Sequence, residues 1–303
     1  MGAVSLLQKP AAQGLYTAPD GAEIYYEDTG GPDPVLFFIY GLGCSIRHWK
    51  YPMAHLAKGH RLIWLDFRGH GRSGRPPRGQ RLTIATIVDD MRALCAYRGV
   101  EAATFLGQSM GGVMALALAH AAPELARGLV LLASPGRDVG AHLPAQPAAG
   151  WLWQGMIALN RHAPLAVRLG YAAVKPLSRH PALLLPIREV IRHTGFNPDL
   201  ARTDDIDEYL GKVLEVDPNL FYDMAADLRE FDVAALSPPV ACPTLIIAGA
   251  RDQVVPLAES ERLARLIPRA QLEVVPHGSH CPHFDDPGLV CRRMAEFLRE
   301  QGL

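Results

Sequence analysis

A serine hydroxyl attacks a carbonyl at neutral pH only when a base within hydrogen-bonding reach takes its proton and a third group fixes the tautomer of that base. Ser109, His280 and Asp252 of this 303-residue chain have the types and the order for that work. Ser109 sits in Thr104-Phe-Leu-Gly107-Gln108-Ser109-Met110-Gly111-Gly112, entered by an apolar run and left by an Ala/Leu run. Gly-x-Ser-x-Gly between a strand and a helix is the setting of a nucleophile elbow. Such a turn presses neighbouring backbones together, so Gly107 and Gly111 must lack a Cβ. Ser109 is then expected at the tip, beside a helix N-terminus that favours developing negative charge.

The other two residues are expected just past the C-terminal ends of strands, where the loops of a parallel sheet share one crevice. Asp252 lies three residues beyond an apolar strand ending at Gly249, and His280 four residues beyond one ending at Pro276. The elements that must hold them follow a rhythm. Ala22–Glu27 alternates as a half-buried antiparallel strand does, and Val35–Tyr40, Arg61–Asp66 and Gly128–Ala133 read as strands. Helices are expected over 45–56, 83–98, 259–266 and 287–301. Between Arg137 and about Ala235 no strand is evident, and the segment reads as helices separated by prolines. The pattern predicts an α/β fold, a mostly parallel doubly wound sheet covered on both faces, with an inserted helical lid. The core domain would comprise 1–136 and 236–303, and the lid 137–235.

Composition narrows the class. With 30 Lys and Arg against 31 Asp and Glu, nothing at whole-chain level suggests nucleic acid. Five scattered cysteines do not form a disulfide framework, which fits a reducing compartment. No signal peptide and no membrane span are read, so a cytoplasmic location is expected. Within the insertion charge is segregated: 137–202 holds eight Lys/Arg against three Asp/Glu, and 203–235 two against ten. The plain reading is that the halves face each other or solvent; the sharper one is a basic cap that attracts an anionic substrate or a membrane surface.

Four stretches in order resemble the α/β-hydrolase superfamily: Gly41-Leu42-Gly43; Asp66-Phe-Arg68-Gly69-His70-Gly71-Arg72-Ser73; the Ser109 turn; and Gly249-Ala-Arg-Asp252 followed by Gly278-Ser279-His280. They are most similar to the serine carboxylesterase and enol-lactone-hydrolase-like group with a helical lid. The resemblance implies a catalytic triad, with Ser109 as nucleophile, His280 as general base and then acid, and Asp252 orienting His280. It implies an oxyanion hole from the backbone N–H groups of Leu42 and Met110, and no cofactor or metal. It also implies an acidic residue five positions after the catalytic histidine and a proline two further on, which Asp285 and Pro287 match for His280. The family commonly has His where Tyr40 stands. Tyr40 could brace the loop with its hydroxyl or offer it to substrate. Ser109 argues against dehalogenase and epoxide hydrolase chemistry, which uses Asp at the elbow.

The expected activity is hydrolysis of a carboxylic ester of a small to medium apolar molecule through an acyl-enzyme. The alternatives are an enol-lactone, a thioester, a carbon–carbon bond of a ring-cleavage product, and a non-catalytic ligand-binding role on the same fold. Tyr40, Trp151, Trp153 and Met156 are candidate substrate-binding residues. The partner is a small molecule; a homodimer is compatible with the sequence. His277 and His283, spaced three residues either side of His280, are read as bystanders rather than metal ligands, and Asp66 as a loop brace acting with Arg68. Cys44 and Cys281 are read as small packing residues, with redox sensitivity as the alternative.

Overall fold

The computed structural model describes residues 10–31, 33–77, 79–137, 147–175 and 181–303; the side chains of 147–153, 174, 181–184, 186 and 187 lie outside that description. Its sheet contains β1 (Ala12–Thr17), β2 (Glu23–Asp28), β3 (Val35–Ile39), β4 (Arg61–Leu65), β5 (Ala103–Gln108), β6 (Ala126–Leu132), β7 (Thr244–Gly249) and β8 (Ala270–Val275). The strand order is β1-β2-β4-β3-β5-β6-β7-β8. β2 runs antiparallel to β1 and β4, and the remaining pairs are parallel. Every residue of β3, β5 and β7 is buried, which explains why these strands read as continuous apolar runs rather than alternating ones.

Helices α1 (Lys50–Leu56), α2 (Ile84–Tyr97) and α3 (Met110–Ala121) belong to the first half of the core. α4 (Pro147–His162), α5 (Pro164–Val174), α6 (Pro181–Gly195), α7 (Thr203–Val213) and α8 (Pro218–Glu230) lie between β6 and β7. α9 (Leu257–Leu266), α10 (Pro282–Asp285) and α11 (Pro287–Gln301) complete the chain. In the insertion, prolines open helices as well as part them. Pro147, Pro164, Pro181 and Pro218 are each the first residue of a helix, where the missing N–H costs nothing and the fixed φ is already helical. The two ends of the insertion meet at the sheet: Arg137 pairs with Asp232 in an isolated antiparallel bridge, and Val233 N–H donates to the Gly136 carbonyl at 2.8 Å.

Three details differ from the expectation. β1 was not anticipated; its alternation is short and includes Gly14, but it pairs with β2 along its whole length. The expected helix over 45–56 divides into a tight turn at Ile46–Trp49 and α1. A short helix, α10, stands where no helix was expected, again opened by a proline, Pro282.

Close packing at the elbow gives a sharp test. A Cβ on Gly111 would fall 2.4 Å from the Ile39 carbonyl oxygen and 2.6 Å from that of Tyr40, both backbone atoms of β3 and its exit. Gly111→Ala should therefore lower stability by about 1–3 kcal/mol, read as a lower urea midpoint. Gly155, inside α4 with nothing within 4 Å of its would-be Cβ, provides the contrast. Gly155→Ala should raise the midpoint, by roughly 0.5–1 kcal/mol of stability.

Candidate functional site

Ser109 is the single residue between β5 and α3, and its backbone has φ 53° and ψ −122°. A side chain rarely adopts that conformation, which costs on the order of 1–3 kcal/mol and persists only where the surroundings enforce it. Ser109 N–H donates to the Leu132 carbonyl at 2.9 Å, and the Ser109 carbonyl accepts from Gly112 N–H at 2.9 Å. The strand therefore turns into the helix over one residue. A Cβ on Gly107 would lie 2.3 Å from the Gly111 carbonyl oxygen, so the helix start is packed directly on the strand end.

The structure brings Ser109, His280 and Asp252 together. His280 Nε2 lies 3.1 Å from Ser109 Oγ, and His280 Nδ1 lies 2.9 Å from Asp252 Oδ2. A carboxylate only accepts, so the Nδ1 proton points at Asp252 and the Nε2 lone pair faces the hydroxyl. The other Asp252 oxygen, Oδ1, accepts from Val254 N–H and Val255 N–H, each at 2.8 Å. The two loops are tied together: Arg251 N–H donates to the Gly278 carbonyl at 2.8 Å, and a Cβ on Gly249 would fall 2.1 Å from the Ser279 carbonyl oxygen. Asp252 and His280 are 8% and 5% exposed, so their contact is largely shielded from water.

Met110 follows the serine directly, and Leu42 belongs to a neighbouring turn. Met110 opens α3, so its N–H is one of the helix-start donors without an intrahelical acceptor. Leu42 lies in a turn closed by Cys44 N–H donating to the Gly41 carbonyl at 3.1 Å. A Cβ on Gly41 would sit 3.3 Å from Ser109 Cβ, which sets this turn against the nucleophile position. Tyr40 is buried, its ring packs on Phe67 at 4.1 Å between centroids, and its hydroxyl accepts from Phe67 N–H at 2.7 Å. That is the bracing geometry: it joins the exit of β3 to the exit of β4. Tyr40 also borders a cavity of about 670 Å³ with Cys44, Asp66, His70, Arg72 and Lys212; Ser109 is not among the described residues that bound it.

Asp252, not Asp66, is the carboxylate bonded to His280. Its carboxylate accepts from Arg72 N–H at 2.9 Å and its carbonyl from Ser73 Oγ at 2.6 Å. Arg68 forks onto Asp90 at 2.8 and 2.7 Å. His277 is exposed and His283 fully buried, and neither reaches Ser109. Among the described residues no group of His, Cys, Asp or Glu is placed to hold a metal ion. Cys44 and Cys281 are buried free thiols; burial pushes Cys44 up to about 12 and Cys281 well above the ordinary thiol range, which disfavours the reactive thiolate. Met156 is half-buried on α4, whereas the side chains of Trp151 and Trp153 lie outside the described residues.

The sequence did not reveal the clamp behind His280. Asp285 accepts from Ser279 N–H and Ser279 Oγ, both at 2.6 Å, and from Asn197 N–H at 2.9 Å. Asn197 also donates from Nδ2 to the His277 carbonyl at 2.8 Å, so the segment between α6 and α7 holds the histidine loop. Burial pushes the Asp285 carboxyl up from its ordinary range. The spacing of Asp285 and Pro287 marked this acid; nothing in the pattern marked Asn197.

The family model described as alpha/beta hydrolase fold matches residues 34–287. A protein of Caulobacter sp. (strain K31) named "Putative carbamate hydrolase RutD" is 30% identical over 268 residues, covering 85% of this chain and 88% of its own. Its namesake in Agrobacterium fabrum is 27% identical over 282 residues, covering 91% of this chain and 98% of its own. Among solved structures, a thermophilic esterase from Thermogutta terrifontis is 27% identical with a TM-score of 0.71, covering 96% of this chain and 99% of its own.

Two further histidines lie behind the site without taking part. His48 stacks on Tyr209 at 4.7 Å and His283 on Trp49 at 5.8 Å. Burial first, then nearby cationic groups including Lys50, push both down to about 3. Each is neutral in the folded state, whereas in the unfolded chain it binds a proton below about pH 6.5. Folding stability from these two is therefore complete above about pH 6.5 and is lost as pH falls towards 3, with a limiting slope near 1.4 kcal/mol per pH unit for each. His283→Gln should flatten the pH dependence of the urea midpoint between pH 6.5 and 4 relative to wild type, whatever its effect at pH 8; an unchanged slope would remove His283 from this role.

Proposed function

The chain belongs to the α/β-hydrolase fold family, and on that footing we propose that it is a serine hydrolase that cleaves a carboxylic ester through an acyl-enzyme. The observation that carries this reading is the continuous chain of contacts from Ser109 Oγ through the His280 ring to Asp252, at 3.1 and 2.9 Å. In this reading His280 Nε2 takes the Ser109 proton as Oγ attacks the acyl carbon. The carbonyl oxygen becomes an oxyanion and receives hydrogen bonds from the N–H groups of Leu42 and Met110, a pair in which one donor is typically worth about 2.7–4 kcal/mol. Imidazolium then gives its proton to the departing alcohol oxygen as the carbon–oxygen bond breaks, leaving an acyl-enzyme. Water, deprotonated by the same Nε2, attacks the acyl carbon and returns Ser109 and the free acid.

Asp252 keeps the Nδ1 proton in place and offsets the imidazolium charge in a site where water is largely excluded. Tyr40 holds the loop that carries Leu42, and the helical insertion over 137–235 serves as a lid. Met156 is assigned to the acyl pocket. The insertion contributes Asn197 to the histidine clamp, which favours a lid that stays anchored on that side.

A second reading, a carbamate substrate, is favoured by the name of the Caulobacter and Agrobacterium relatives. The same attack applies, but the carbamate nitrogen donates into the carbonyl and makes its carbon less electrophilic. The test is a p-nitrophenyl ester series from acetate to palmitate together with a p-nitrophenyl carbamate, on wild type and Ser109→Ala. Ester turnover in wild type that falls by about four to six orders of magnitude in the variant is expected. Turnover of the carbamate alone selects the second reading, and ester turnover that persists in Ser109→Ala contradicts both. Asp252→Asn, with Ser109 intact, is expected to lower kcat by about 10⁴, because the wrong histidine tautomer then faces the serine.

A further inference from the structure

The C-terminal end of α6, with Phe196 and Asn197 beyond it, joins the insertion to the relay. The last four carbonyls of a helix have no acceptor role within it. Two of those in α6 are met by side chains from the loops that carry the triad. The His193 carbonyl accepts from Gln253 Nε2 at 3.1 Å, and the Gly195 carbonyl accepts from Ser279 Oγ at 2.9 Å. Gln253 is the neighbour of Asp252, and Ser279 is the neighbour of His280. One helix end therefore spans the acid loop and the histidine loop.

The next two residues extend the contact. Phe196 is buried in an apolar cluster with Cys281 and Phe284, its ring centroid 5.7 Å from that of Phe284. Asn197 is buried too, and its amide is fixed from both ends. Oδ1 accepts from Asp199 N–H at 3.0 Å, and Nδ2 donates to the His277 carbonyl at 2.8 Å. A local turn would need only Oδ1, which bonds two residues along the chain. Nδ2 instead reaches a residue 80 positions away. Ser279 Oγ also accepts from Cys281 N–H at 3.2 Å. The residues on either side of His280 are thus both held from the insertion: Ser279 by the Gly195 carbonyl, and Cys281 by its packing with Phe196.

We propose that Asn197 and Phe196 are positioning residues for His280. They hold the histidine loop so that Nε2 stays within bonding distance of Ser109 Oγ, which makes the insertion part of the frame of the relay as well as its cover. The inference rests on the serine hydrolase reading and deepens it. The reaction is sensitive to such placement, since a displacement of about 1 Å at the reacting groups can cost on the order of a hundredfold in rate.

Two variants test it. Asn197→Ser keeps an oxygen that can accept from the N–H two residues on, adds no charge beside Asp285, and is too short to reach the His277 carbonyl. Phe196→Leu keeps the hydrogen bonds and loosens the packing. Kinetics are measured on p-nitrophenyl acetate and p-nitrophenyl octanoate, with kcat expressed per site titrated to completion by a fluorophosphonate, so that an unfolded fraction does not count. In Asn197→Ser kcat should fall by about ten- to a hundredfold, and by less in Phe196→Leu. KM should stay within about twofold, and the fall should be the same for both esters, because the base and not the acyl pocket is displaced. The rate of fluorophosphonate labelling should slow in the same proportion. An insertion that only lines the substrate site predicts the opposite split, with KM rising most for the octanoate and kcat retained, and that result overturns the proposal. An active wild type matched in kcat by both variants also overturns it and leaves the hydrolase reading standing. Wild type that neither turns over these esters nor takes the label removes the hydrolase reading, and the proposal with it.

Discussion

The backbone of Ser109 is the constraint on which the rest of the site depends. A non-glycine residue at φ 53° and ψ −122° is stable only where its neighbours leave it no alternative. They do so by contact. β5 and the start of α3 are packed against one another through Gly107 and Gly111, and α3 is packed on the carbonyls of Ile39 and Tyr40 at the exit of β3. That junction places the serine, the helix-start N–H of Met110 and the Gly41–Cys44 turn in one small region. The sheet of parallel strands brings the ends of β7 and β8 to the same edge, and the loops that follow them carry Asp252 and His280.

The outer layers hold this arrangement from different sides. Tyr40 joins the β3 exit to the β4 exit through Phe67 N–H, and Asp66 and Arg68 fix the loop beyond β4. The histidine loop is held from behind by Asp285 and from the insertion by Asn197. The acidic helices α7 and α8 are fastened to the core by ion pairs and hydrogen bonds, while α5 leaves Leu165, Arg168 and Leu169 exposed.

Ser109, Asp252 and His280 were legible because their chemistry demands local signals: glycines where backbones touch, and polar residues just beyond apolar strands. Strands buried on both faces announced the sheet as unbroken apolar runs. β1 did not announce itself, since six residues with a glycine give too short an alternation. The place of Tyr40 was readable but its use was not, because a hydroxyl can brace or bind and only Phe67 N–H at 2.7 Å distinguishes the two. Asn197 left no trace because its partners, His277 and Asp285, are 80 and 88 residues away. The destination of the acidic half was also hidden, since charge counts along a chain do not say which cations come close in space.

Covalent labelling of the intact protein with a fluorophosphonate, mapped by peptide mass spectrometry, tests the central claim most directly, because it reads the nucleophile without any assumption about substrate. The relay predicts one adduct, on the peptide containing Ser109, formed in wild type and slowed by orders of magnitude in His280→Ala and Asp252→Asn. Labelling at another residue, no labelling at all, or a rate unaffected by loss of the His280 ring would contradict the account.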